Sequence, residues 1–496
     1  MNKVNKKYRG VILINVLIFL MLGISLITLF IAWTSSSINT VKSTLSKEQA
    51  LQIAEAGIDY YRWHLAHNPN DFKDGTNIDG PYSHVFYDKN GEAIGNFILT
   101  ITPPIVGSTL VTIKSEGRVN KSPSVKRTIQ TRLAIPSFAK FAIVANDIMR
   151  FGEGTEIFGP IHSNNGIRFD GIAHNLITST IPSYDDPDHT GNKEFGVHTH
   201  VNTTNTNVTE TFRTLEAPPT NPVPTRNDVF LAGRQFPVPQ SDFTGITNDL
   251  SIIKTNAISG GKYLSSAGSG FYGYHIVLKT NDTYDLYKVK SLTAIPNGNC
   301  SYSSNNPGTG SSIWGTWSIK SSSNGQTFIG NYQNPSNGLI FAEDDVWVDG
   351  KINTARITIA VGTFPDAPNS RQNIIINNDL LYTNYDGQDI IGLIAQGDIN
   401  VGMVSEDDLR IDAALMANNG RAGRHYYSSS CSPYHNRSNI TLYGMIGSNK
   451  RYGFAYTDNT GYEVRTITYD ANLLYAPPPS FPLTSDKYTT ISWDEL

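Results

Sequence analysis

The chain has 496 residues, a formal net charge of -4 and a pI near 6.3. That balance leaves no broad basic surface to neutralise a row of phosphates, so nucleic acid is not expected as a partner. With 42 Gly and 25 Pro for turns, and 25 Tyr and 21 Phe to fill half-buried strands, the composition suits an extracellular β-rich protein of two or three structural units.

The first element is apolar. Val11 to Trp33 is an uncharged run of 23 residues, which as a helix reaches roughly 35 Å, enough to cross a ~30 Å hydrocarbon core. Lys3, Lys6, Lys7 and Arg9 precede it, so the positive-inside rule places the N-terminus in the cytoplasm and everything after Trp33 outside. No small-x-small cleavage site stands around Trp33 to Ser37, and the apolar segment is expected to be kept. Past a Ser/Thr stretch, Leu51, Ala54, Ile58, Tyr61 and Leu65 recur at helical spacing, which predicts an amphipathic continuation for packing on a sheet or on neighbouring subunits. Asn68-Pro69 is its expected stop.

The basic leader, Gly10 directly before the apolar run and the unbroken helix resemble the prepilin pattern of the type IV pilin superfamily. The string QALQIAEAGIDYYRW, Gln49 to Trp63, resembles PilX-like minor pilins and related pilus-assembly proteins. The resemblance implies cleavage by a prepilin peptidase between Gly10 and Val11, with the hydrophobic segment retained. Two positions depart from the family: Val11 stands where Phe or Met is usual, and Asn15 where Glu is usual. In the family that glutamate pairs with a neighbour's N-terminal amine, and an unpaired charge inside lipid costs about 2.5 to 3.5 kcal/mol. Neutral Asn15 cannot make the pair, which points to a tip or initiation position rather than repeated use along a shaft. The alternatives are a lineage that tolerates Asn there and an uncleaved membrane anchor.

Three alternating segments follow, Asn96 to Thr102, Thr109 to Val119 and Val125 to Ile135, and predict an antiparallel meander closed by Pro136. Beyond it a loose pattern repeats at Phe158 to Gly171, Gly338 to Gly350 and Gly392 to Gly402, with echoes at Ala414 to Gly420 and Tyr443 to Ser448. Each unit joins two short strands through an Asn/Asp/Gly corner, and such units bury their apolar face by stacking, as in a β-solenoid. The stretch from Ile172 to Asn337 is read as an insertion, with a helix around Asp242 to Thr255 and a hairpin from Gly273 to Val289. The expected organisation is a leader over 1–10, a long helix over 11–68 with its span at 11–33, a pilin-like sheet over 69–135, and a solenoid-like domain over 136–496 with its insertion at about 172–337. The fold class is thus α+β to mainly β.

Chemical signals are sparse. Cys300 and Cys431 are far apart, and outside the cytoplasm they could form one disulfide if geometry permits. Acidic corners at Glu343, Asp344, Asp345, Asp349, Asp398, Glu406, Asp407 and Asp408 would be the acid/base candidates of a polysaccharide-acting solenoid, but their alternation with Gly and Asn is that of ordinary turns. Asp186, Asp188, His189, His198 and His200 are weak metal candidates, and Val197 occupies the calcium-loop position that requires Glu. The expectation is a non-enzymatic protein without cofactor or metal, a minor pilin-like component whose partners are other pilin subunits, the assembly machinery, the prepilin peptidase, the inner membrane and a surface or glycan ligand. A membrane-anchored β-helix enzyme acting on polysaccharide and a surface adhesin outside any filament are the competing readings.

Overall fold

The computed structural model describes residues 9–105, 108–188, 191, 193–202, 219, 221–302, 314–456 and 458–496; Lys3, Lys6, Lys7 and His189 lie outside them. The chain forms two compact units: Met1–Pro103 with Val111–Ala134 and Thr490–Leu496, and Pro104–Leu110 with Ile135–Thr489.

In the first unit one helix, α1 (Arg9–His67), runs unbroken for 59 residues, about 88 Å at 1.5 Å per residue. It stops just before Pro69, where the Asn68 N–H donates to the His64 carbonyl at 2.8 Å. Four antiparallel strands follow, β1 (Tyr82–Tyr87), β2 (Ala93–Thr102), β3 (Val111–Val119) and β4 (Ser122–Ala134). Strict alternation along β3 turns Val111, Ile113, Ser115, Gly117 and Val119 inward. The edge beside β4 is occupied by the C-terminal strand (Thr489–Glu495). This strand belongs to the first unit, whereas the sequence reading left it with the solenoid; it covers the edge of β4.

The second unit is a stack of short parallel strands. In spatial order the main face runs Arg234–Gln235, Ile177–Ser179, Ile161–Ser163, Ile143–Ala145, Asn436–Ser448, Asp408–Ala417, Ile390–Ala395, Arg356–Val361, Leu339–Ala342 and Lys262–Leu264. Its register aligns a fully buried aliphatic column, Ile340, Ile359, Leu393, Leu415, Ile446, Ile143, Ile161 and Ile177. Alternate residues Phe341, Ala360, Ile394 and Met416 cluster instead with Ile246, Leu250, Ile253 and Ala257 of α2 (Gly245–Gly260). Burial on both faces explains why LIFA and LIA read as continuous apolar runs rather than alternating ones. A second face stacks Gly273–Leu278, Val346–Lys351, Ile374–Ile375, Ile399–Val401 and Ala422–Arg424.

The stretch set aside as an insertion, about 172–337, itself supplies rungs along most of its length. Ile177–Ser179, Val197–His198, Lys262–Leu264 and Gly273–Leu278 all pair as rungs of the stack. Strands of two or three residues carry too little periodicity to be seen in sequence. The Gly273 to Val289 hairpin is present as Gly273–Leu278 paired with Thr283–Val289.

Candidate functional site

Helix α1 has two different surfaces. Its lower part shows its apolar side chains to the surroundings, from Val11 at 54 % and Phe19 at 74 % exposed to Trp33 at 67 %. It is long and apolar enough to cross a membrane. Asn15 lies within this surface and is exposed with its neighbours.

The upper part is a packing face. Ala50, Ile53, Ala54, Ile58, Tyr61 and Leu65 are buried while Leu51 is half-buried. The true stripe therefore runs through Ala50 and Ile53, which the sequence reading did not pick, and leaves Leu51 at its margin. Helix and sheet approach so closely that side chains are excluded at the contact. A Cβ on Gly57 would stand 2.3 Å from Ser115 Oγ and 2.9 Å from a Phe97 ring carbon, and one on Gly117 of β3 would stand 2.0 Å from the Ala50 carbonyl oxygen. Beyond the helix, Asp71 clasps its end: its carboxylate accepts from the Lys73 and Gly75 N–H groups at 2.8 and 2.7 Å and lies 3.0 Å from His64 Nε2. The Lys73 N–H, then Gly75 and His64, hold its pKa below the usual carboxylate range against the opposing effect of burial.

The acidic corners of the second unit tie rungs together. Asp345 Oδ1 accepts from the backbone N–H of Asn373 at 2.7 Å; Asn373 Oδ1 accepts from that of Asp398 at 2.8 Å; and Asp398 Oδ1 accepts from that of Arg421 at 2.7 Å. Each of these residues directly precedes a strand of the second face, so the ladder fixes where successive rungs begin. Burial pushes the Asp345 carboxyl up to about 7 and raises Asp398 as well. Glu343 is bound by Lys254 and by the Tyr263 hydroxyl at 2.6 Å. Asp349 lies 3.0 Å from His275 Nε2 and accepts from Asn378 at 2.7 Å. Asp344 accepts from the Ala267 N–H at 2.8 Å and Asp407 from Ser438. Glu406 is pushed up by burial and by the neighbouring Asp379, while Asp408 is exposed at the start of its strand.

The disulfide candidates, Cys300 and Cys431, are bonded with their Cα atoms 4.4 Å apart, closing a separation of 131 residues. Of the metal candidates, Asp186, His198 and His200 converge: one ligand atom of each lies within 4.8 Å of the others, and all three residues are buried. Asp188 turns elsewhere, to Arg150 at 3.4 Å and Arg451 at 2.9 Å.

No family model matches this chain, and no curated protein matches it. Among solved structures, that of the competence-associated pilin ComZ from Thermus thermophilus is similar at 14% identity and a TM-score of 0.34, over 91% of this chain and 97% of that one.

The residues missed by sequence reasoning share one property. Gly57, Gly117, Asn373 and Arg421 matter through backbone approach or backbone hydrogen bonds, which leave no mark on hydropathy periodicity; only the Gly inside an otherwise helical stripe was a visible signal.

Proposed function

We propose that the chain is a minor pilin-like subunit of a type IV pilus or a related filament, PilX-like in character, processed after Gly10 and anchored in the inner membrane before assembly. The observation that carries this reading is the division of one continuous helix into an exposed apolar lower part and an upper part buried on its own sheet. So large an apolar surface is not stable in water. Lipid can cover it first, and the packed helices of other subunits afterwards. Neutral Asn15 supports a tip or initiation position, where one axial neighbour is absent. The β-rich unit then serves assembly or surface adhesion, with a surface or glycan ligand as its partner. We read it as non-enzymatic, because most acidic corners that a hydrolase would use are engaged in ties between rungs.

Intact-mass measurement of protein recovered from sheared filaments tests the reading, with gold labelling to place the subunit. A mature chain beginning at Val11 and label at filament ends is the expected result. Exclusive recovery from the cell membrane with the first ten residues still attached overturns it.

A further inference from the structure

Asp186, His198 and His200 converge in the second unit. Strand pairing creates it: Val197–His198 lies parallel to Ile167–Phe169, with His198 opposite Arg168, while Ser183–Tyr184 pairs with Glu194–Phe195 just before Asp186. Asp186 Oδ1 accepts the Asp188 N–H at 3.0 Å, and Asp186 Oδ2 lies 3.6 Å from His198 Nε2. His200 is held from behind, its backbone N–H donating to Asp170 Oδ1 at 2.8 Å.

His198 is fully buried, and among the described residues neither of its ring nitrogens has a hydrogen-bond partner. A buried imidazole left in that condition costs stability unless something else occupies a lone pair. Asp170, Asp186 and Glu194 are buried carboxylates, and the Arg168 guanidinium lies 2.6 Å from Asp170 and 3.9 Å from Asp186. Arg226 is matched by Asp228 at 2.8 Å, and Arg234 spreads its charge over the Phe195 and Phe230 rings while bonding the Val197 carbonyl.

We propose that Asp186, His198 and His200 form a binding site for one divalent transition metal ion of the zinc class, a structural staple between Asp186 and the Val197–His198 rung. Two imidazoles and one carboxylate are a borderline donor set that suits zinc and its neighbours, whereas calcium and magnesium require oxygen ligands. Tetrahedral zinc with bonds of about 2.0 to 2.1 Å sets its ligand atoms roughly 3.4 Å apart. The 3.6 Å between His198 Nε2 and Asp186 Oδ2 is already close to that edge, and the 4.8 Å envelope of the three ligand atoms needs only rotamer-scale contraction. Water or a further protein donor would complete the coordination.

The test uses the full-length chain in detergent, stripped with chelator and titrated with zinc ion alone, with magnesium as the contrast. One equivalent retained through dialysis, a melting temperature raised by zinc but not by magnesium, and loss of both effects in His198→Ala and His200→Gln are expected. Cobalt(II) added to the unaltered chain provides a readout that needs no variant: intense visible absorption of tetrahedral coordination, displaced by zinc. Absence of stoichiometric zinc in the folded chain, only the weak spectrum of hydrated cobalt, or an equal response in folded His198→Ala overturns the site.

Discussion

Single residues at contacts between backbones set the strongest local constraints. Gly117 admits no side chain, because its Cβ would lie 2.0 Å from the Ala50 carbonyl oxygen. Gly117→Val is therefore expected to push the helix off β3 and destabilise the first unit by about 1 to 3 kcal/mol or more. Gly152→Ala, where the added carbon meets open space, should leave thermal melting nearly unchanged, and equal melting of the two variants would refute the close-packing account. Asp345 makes a prediction about pH. Its folded pKa is raised from 3.8 to about 7 by burial, so the folded state holds the proton more tightly than the unfolded one. This group's contribution is most favourable below pH ~4, falls as pH rises to about 7, and is flat above. Asp345→Asn keeps an oxygen to accept from Asn373 and removes the titration. It should flatten the slope of stability between those limits, a difference on the order of 2–4 kcal/mol by pH 8, readable from denaturant melts at both ends of the range.

Elements differed greatly in how plainly the sequence announced them. α1 was legible along nearly its whole length, because a long uncharged run, a helical stripe and a terminating Asn-Pro are independent signals that agree. β2, β3 and β4 were legible through alternation. The solenoid-like rungs were legible where a corner of Asn, Asp and Gly separates two apolar strands, as at Leu339–Ala342 and Val346–Lys351. They were hidden where a strand has two or three residues, as at Val197–His198. Asp186, His198 and His200 were among five metal candidates in the sequence, but that these three are the ones that converge was not legible, since it depends on the register of those short strands. The C-terminal strand was missed because its pairing with β4 spans most of the chain, and no local pattern says which sheet a strand will join. Deleting Thr490–Leu496 should leave the β4 edge open. The shortened chain is expected to self-associate in light scattering and to melt earlier, and a monodisperse product with unchanged melting would show that the edge needs no cover.

At the scale of the molecule, the order of rungs in space departs from their order in the chain. Ile143–Ala145 is flanked by Ile161–Ser163, which follows it closely, and by Asn436–Ser448, which comes almost three hundred residues later. Synthesis runs from the N-terminus, so the early rungs can stack outward in one direction only, with a naked flank awaiting a segment made much later. Maturation of this unit cannot proceed as a simple zipper following synthesis. The return of the last rungs to a platform laid down at the start is a contact of long sequence separation, the kind that forms slowly and leaves apolar surface uncovered in the interval.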